Sequence, residues 1–182
     1  MDQPTLHTAR VMLRPFQLSD AATVQRLAGA AAVAEMTLNI PHPYGDGMAE
    51  SWIGTHRTAW EARTAVTFAV TTLDDALRGT VSLHLTPAHR RGELGYWIGQ
   101  PFWGQGFATD AVRALLRFAF ADLGVNRVQA SHLPRNPASG RVMEKAGMTR
   151  EGLHRERYLK GEHFEDVVEY AVLGHEWASE AR

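Results

Sequence analysis

The 182-residue chain contains no cysteine, which excludes disulfides, thiolate metal sites and a cysteine nucleophile. It has no apolar stretch of membrane-spanning length and does not open on a basic-then-apolar leader pattern, so a cytoplasmic protein without a membrane partner is expected. Neither sign of charge is in excess: 19 Lys and Arg stand against 20 Asp and Glu, for a formal net charge of −1. Without surplus base to displace counterions, direct nucleic-acid binding is not expected. The nine histidines are scattered, and the closest pair, His84 and His89, straddles a Thr-Pro turn and not one helix face. No metal site is expected. Repeats, low-complexity tracts and linkers are also lacking. With 45% hydrophobic residues, the chain reads as one domain over 1–182 with enough apolar surface to build a core.

What is there is a succession of short, well-punctuated elements. Arg10–Phe16 alternates as a strand, and Ser19 is placed to cap a helix through Ala22, Val24 and Leu27. Ile40–Gly45, with Pro41 and Pro43, must be a loop. A helix over about Gly47–Arg63 follows. Val66–Thr72, Arg78–Leu85 and Arg91–Ile98 then read as an antiparallel meander. Ala108, Ala111, Val112, Leu115, Leu116, Ala119 and Leu123 fall at helical spacing, and Gly124 is placed to end that helix. Val125–Ala130 completes a β-α-β unit, parallel to the strand ending at Ile98. Asn136-Pro137 starts a helix that Gly147 stops. Two longer strands, Thr149–Leu159 and Glu165–His175, turn at Lys160-Gly161-Glu162. The class is α+β.

The most informative segment joins the strand at Ile98 to the helix at Ala108. Gly104, Gly106 and Ala108 are spaced two apart, in a strand, tight loop and helix N-terminus. Such a turn presents backbone N–H groups that have no partner inside the helix, at the positive end of its dipole. A phosphate or pyrophosphate is the natural ligand, and glycine lets its oxygens approach the amides. A Walker loop would need Gly-Lys-Ser/Thr, whereas Gly106 is followed by Phe107 and Ala108. A dinucleotide fingerprint would need an acid at the end of the next strand, which instead runs into Ser131-His132-Leu133-Pro134.

Trp103-Gly104-Gln105-Gly106-Phe107-Ala108 resembles the pyrophosphate loop of the Gcn5-related N-acetyltransferases, and Asn136–Met148 resembles their second cofactor motif. Arg10–Phe16 with Asp20-Ala21, and Asp166–Tyr170 with Glu176-Trp177, look like the branch that acetylates ribosomal-protein N-termini. The resemblance runs in order from about Arg10 to Trp177. It implies a mixed, mostly antiparallel sheet of about seven strands with helices on both faces, and acetyl-coenzyme A as co-substrate. By resemblance, the N–H groups from Gly104 through Gln105, Gly106, Phe107 and Ala108 to Thr109 cradle the pyrophosphate. The backbone of Trp97, Ile98 and Gly99 pairs with the pantetheine arm. The family opens the loop with Gln or Arg, and Trp103 departs from that. Asn136 caps its helix and hydrogen-bonds the arm.

Ser139, by the same resemblance, lies near the thioester sulfur and protonates the departing thiolate, whose thiol has a pKa of about 8.5. The attacking amine must be neutral, and a carboxylate can take its proton. Glu93 is the candidate base, on the strand that feeds the loop and on one face with Gly95 and Trp97. Tyr158 is the alternative, at a position where some relatives carry a glutamate. A backbone N–H near Ile98 would meet the developing oxyanion. His42, in its loop with Pro41 and Pro43, together with Tyr44 and Trp52, occupies the region that builds the acceptor pocket in relatives.

The expected activity is therefore acetyl transfer to a primary amine by direct attack, with a protein N-terminal α-amine as acceptor. Acetylation of a small amine (amino acid, polyamine or antibiotic) and a non-catalytic acyl-coenzyme A-binding module are the alternatives. A homodimer is left open.

Overall fold

A computed structural model describes residues 2–180, and side chains from Asp2 to Trp177. Eight strands form one sheet in the order β1-β2-β3-β4-β5-β6-β8-β7. They are β1 (Leu6–His7), β2 (Val11–Arg14), β3 (Ala65–Thr72), β4 (Leu77–Thr86), β5 (Arg91–Ile98), β6 (Arg127–His132), β7 (Thr149–Lys160) and β8 (His163–Leu173). Only β5 and β6 pair in parallel, and every other neighbour is antiparallel. This is the mixed sheet that the β-α-β reading required. The helices are α1 (Ala21–Ala28), α2 (Ala31–Glu35), α3 (Met48–Glu61), α4 (Phe107–Ala121), α5 (Pro137–Lys145) and α6 (Gly174–Glu180).

Strand alternation places helices on both faces. On β3, Val66, Phe68 and Val70 join Leu115, Leu116 and Ala119 of α4 in the larger core, while Ala69 between them joins Val24 of α1 and Ile53 of α3 in a second cluster. Helix α4 buries Ala111, Val112, Leu115 and Leu116, the predicted stripe. It ends where Gly124 turns the chain with φ +64°, a backbone state that a side chain disfavours.

Four details differ from the sequence reading. β1 adds an edge strand to the seven expected, and α2 inserts a short helix of Ala and Val before the Pro41 loop. β8 stops at Leu173 because α6 begins at Gly174, where the chain was read as strand to His175. Ser19 does not cap α1. A 3-10 turn over Leu18–Asp20 leads into it, and Asp20 is held elsewhere.

What holds Asp20 is Arg14. Both Nη atoms of Arg14 donate to the Asp20 carboxylate at 2.8 Å, and its Nε donates to Asp75 at 2.6 Å. Asp20 also accepts the backbone N–H of Gln17 at 2.8 Å. One buried fork thus ties β2, the 3-10 turn and the β3–β4 turn together. Desolvation pushes the Asp20 carboxyl up, but Arg14 and the Gln17 amide outweigh it and hold it below the usual carboxylate range.

His56 of α3 is the opposite case. It lies buried beside Phe16 and Trp52, and neither ring nitrogen has a hydrogen-bond partner among the described residues. Desolvation lowers its pKa from 6.5 to about 4.

Two stability predictions follow from these contrasts. Arg14→Met leaves Asp20 buried and unpaired and is expected to cost about 3–5 kcal/mol in denaturant unfolding, whereas Arg14→Met with Asp20→Leu recovers most of the loss. For His56, the unfolded chain binds the proton more readily than the fold between pH 6.5 and about 4. Stability therefore falls through that window on acidification, by roughly 3 kcal/mol in full. His56→Leu should flatten this part of the pH–stability profile without loss at pH 7. An unchanged slope would remove His56 as its source.

Candidate functional site

β5 and β6 are hydrogen-bonded neighbours only from Arg91↔Arg127 to Glu93↔Gln129, although β5 continues to Ile98 and β6 to His132. Each keeps its outer partner to the end: Ile98 stays opposite Gly79 of β4, and His132 opposite Val168 of β8. The two strands therefore splay into a wedge whose inner edges carry backbone groups without a strand partner. The N–H of Gly99 donates to the Arg78 carbonyl at 2.8 Å, on the β4 side. Alternation turns the peptide groups of Ile98 the other way, into the wedge. The Ile98 carbonyl is already taken, by the indole N–H of Trp103 at 2.6 Å. Trp103 thus seals the strand end.

The glycine loop stands at the mouth of this wedge. Gly104 and Gly106 have φ of +74° and +87°, and a Cβ at Gly104 would meet nothing within 4 Å. Gly106 is the N-cap of α4, so no side chain caps the first turn, and helical bonding begins with Asp110 N–H to the Gly106 carbonyl. The amides of Phe107, Ala108 and Thr109 are left as donors with no acceptor inside the helix. An open cradle of amides at a helix start, beside an unpaired strand edge, fits a pyrophosphate joined to an extended arm.

On the far side of the wedge, α5 begins at Asn136. The Asn136 Oδ1 accepts the N–H of Ser139 at 3.2 Å, and its Nδ2 donates to the Met36 carbonyl at 3.3 Å. One end of the amide caps the helix as expected, and the other tethers the end of α2. Ser139 Oγ lies 2.7 Å from the phenol oxygen of Tyr96, which also reaches the Ser139 carbonyl at 2.9 Å. Tyr96 thus spans from β5 to the first turn of α5. Burial pushes its phenol above the usual range, so it stays protonated.

The remaining sequence-predicted residues fall in three places. Glu93 is exposed at the last joined register, on the face opposite Tyr96. It is about 10 Å along the strand from Tyr96, and the structure does not bring it to Ser139. Tyr158 is half-buried on β7 opposite Glu165, near the β7–β8 turn. Lys160 at that turn donates to the carbonyls of Ala34, Glu35 and Thr37 at 2.7, 3.1 and 2.6 Å, and Arg135 grips Glu165 and reaches the Glu35 carbonyl. The α2 end, the β6–α5 loop and the hairpin tip are thereby laced together. His42 Nδ1 is 3.0 Å from the Gly29 carbonyl. Tyr44 and Trp52 pack on the second core cluster, Trp52 edge-on to Phe16 and His56.

Sequence reasoning missed Tyr96, although it alternates with Trp97 on a strand already singled out. It also missed Arg10, whose guanidinium reaches the glycine loop from 95 residues away and donates to the Gln105 carbonyl at 2.6 Å. No local pattern encodes that contact.

Comparison with known proteins places this geometry. The profile of the acetyltransferase (GNAT) domain matches residues 10–149. The Bacillus subtilis (strain 168) protein named “Putative ribosomal N-acetyltransferase YdaF” is 40% identical over 109 residues, and the match covers 59% of each chain. The Escherichia coli (strain K12) enzyme named [ribosomal protein uS5]-alanine N-acetyltransferase is 30% identical over 84 residues, 46% of this chain and 43% of that one. This chain therefore spans about three-fifths or less of the length of these relatives. A structure of RimL, a ribosomal L7/L12 α-N-protein acetyltransferase in complex with coenzyme A, superposes with a TM-score of 0.85 at 17% identity, over 93% of this chain and 98% of that one. The glycine loop, the splayed strands and the Asn136 helix all lie within the matched domain, and the chain belongs to the GNAT acetyltransferase family.

Proposed function

We propose that this protein transfers the acetyl group of acetyl-coenzyme A to a primary amine by direct attack, and that the acceptor is a protein N-terminal α-amine. The observation that carries the cofactor half of this reading is the wedge: two strands that separate after three registers and open directly onto an uncapped helix start. The amides from Gly104 to Thr109 receive the pyrophosphate, and the inner edge of β5 through Ile98 receives the pantetheine arm. No cysteine is present to carry an acyl group, so a bond forms between amine nitrogen and carbonyl carbon as the carbon–sulfur bond breaks. The Ile98 N–H, turned into the wedge, meets the negative charge on the carbonyl oxygen. Ser139 donates its hydroxyl hydrogen bond to the leaving thiolate, which takes up its proton from water, and Tyr96, kept neutral by burial and 2.7 Å away, holds that hydroxyl in place.

The acceptor half rests on acid–base chemistry and on relatives named for ribosomal substrates. An α-amine has a pKa of about 8, against about 10.4 for an alkylammonium. A useful fraction of an N-terminal amine is already neutral near pH 7, which suits a site whose candidate carboxylate, Glu93, is exposed on the other face. Glu93 then takes the amine proton through water. A polyamine acceptor would place a heavier demand on a base close to the nitrogen. His42, with the laced mouth of α2, the β6–α5 loop and the hairpin carrying Tyr158, forms the approach to the acceptor position.

Two measurements test this. Acetyl-coenzyme A at about a hundred times its Kd should raise unfolding stability by about 2.7 kcal/mol, with NADH and ATP giving far less. Gly106→Val should abolish that gain, because φ of +87° strains a β-branched residue. An equal gain with NADH would overturn the cofactor assignment. In turnover with N-terminal peptides, kcat/KM should rise with an apparent pKa near 8, Tyr96→Phe should lower kcat about tenfold or more with KM for acetyl-coenzyme A little changed, and Glu93→Gln should cost less than about tenfold. A loss of about a hundredfold for Glu93→Gln at neutral pH, relieved at high pH, would make Glu93 the direct base instead.

A further inference from the structure

Arg10 sits just before β2, its backbone fixed by the Thr8 hydroxyl, which accepts the N–H groups of Arg10 and Val11 at 3.2 and 2.9 Å. Its guanidinium lies against the start of α4. Nη2 donates to the Gln105 carbonyl at 2.6 Å, Nη1 is 3.2 Å from Asp110 Oδ2, and Cζ lies 5.8 Å from the Phe107 ring centre. A Cβ on Gly106 would come within 3.1 Å of Nη1. One side chain from 95 residues earlier in the chain therefore reaches both the loop carbonyl and the first helical turn.

Asp110 explains why a cation is needed there. A carboxylate in the first turn is favourable to the helix itself. The same carboxylate opposes any anion bound at that helix start, because like charges at one helix terminus repel. Asp110 Oδ2 is buried and accepts no hydrogen bond among the described residues, so the ion pair with Arg10 is its compensation. The Gln105 carbonyl is a second negative dipole in the loop, and Arg10 binds that as well. Over half of the Arg10 side chain remains exposed (54%), which leaves N–H groups of its fork facing solvent beside the loop.

We propose that Arg10 is a positioning residue for the pyrophosphate loop: it cancels the charge of Asp110 and pins the Gln105 carbonyl, so that the amides after Gly104 present a net positive field. This rests on the cofactor reading above. It also accounts for Trp103 at the opening of the loop, since the polar contribution comes from the segment before β2.

The test is calorimetric binding of coenzyme A to wild type, Arg10→Met, Asp110→Asn and the double variant, at low and at high salt. Arg10→Met should weaken binding about tenfold at low salt and less at high salt. Asp110→Asn alone should leave affinity equal or tighter, and the double variant should return to within about threefold of wild type. Arg10→Lys, which keeps the charge and loses the fork, should retain most of the affinity and serves if Arg10→Met fails to fold. Wild-type affinity in Arg10→Met would overturn this inference and leave the cofactor reading intact. An equal loss with and without Asp110 would reduce Arg10 to a tether of the Gln105 carbonyl and would also overturn it. Failure of the wild type itself to bind coenzyme A would strike the cofactor reading, and the distinction is made within the same titration.

Discussion

Parallel strands joined by a crossover helix ordinarily stay paired along their shared length, because each unpaired peptide group in a covered sheet is costly. In this chain β5 and β6 part after Glu93 and Gln129 while each holds its outer neighbour to its end. The site depends on that withheld pairing. It creates the polar edge along Ile98, sets the width that Tyr96 spans to reach Ser139, and delivers the chain into the turn that starts α4 with bare amides. The cost of the open edge is offset locally: Trp103 takes the Ile98 carbonyl, and Tyr96 satisfies Ser139 across the gap.

The parts of this arrangement that are legible in the sequence are those carried by neighbours in the chain. Gly104 and Gly106 announce a tight loop, the Ala111–Ala119 stripe announces a helix lying on a sheet, and Asn136-Pro137 announces a capped start; all three stand where the spacing put them. The β-α-β reading also gave the one parallel pair. What could not be read is where that pairing stops, since the residues after Glu93, Leu94 to Ile98, are more apolar and strand-forming than Arg91 and Gly92 before it. The splay is a property of two strands and their outer partners, not of either sequence.

Contacts between distant segments were equally invisible. Lys160 threaded among three carbonyls of the α2 end, Arg135 on the Glu35 carbonyl, and Asn136 on the Met36 carbonyl join segments about a hundred or more residues apart. Each is a donor in search of orphan carbonyls, which any lysine or arginine on the surface also resembles. Glu93 shows the converse. Its position on the feeding strand is as read, yet strand alternation sends its side chain to the face away from Ser139 and Tyr96. Ser19 was a plausible cap, displaced because Asp20, one residue on, is bound to Arg14.

The four-residue strand β2 has a consequence for how the chain finds its fold. Val11 and Leu13 face the large core with no exposed surface, while Arg14 points the other way into a fork with Asp20 and Asp75. A slip of one residue against β3 would reverse every side chain. It would drive the guanidinium of Arg14 among Phe68, Val70 and Leu115 and turn both aliphatic residues out. So short a strand has little pairing energy with which to choose its alignment, and opposite penalties on its two faces make the choice for it. β2 carries its own proofreading.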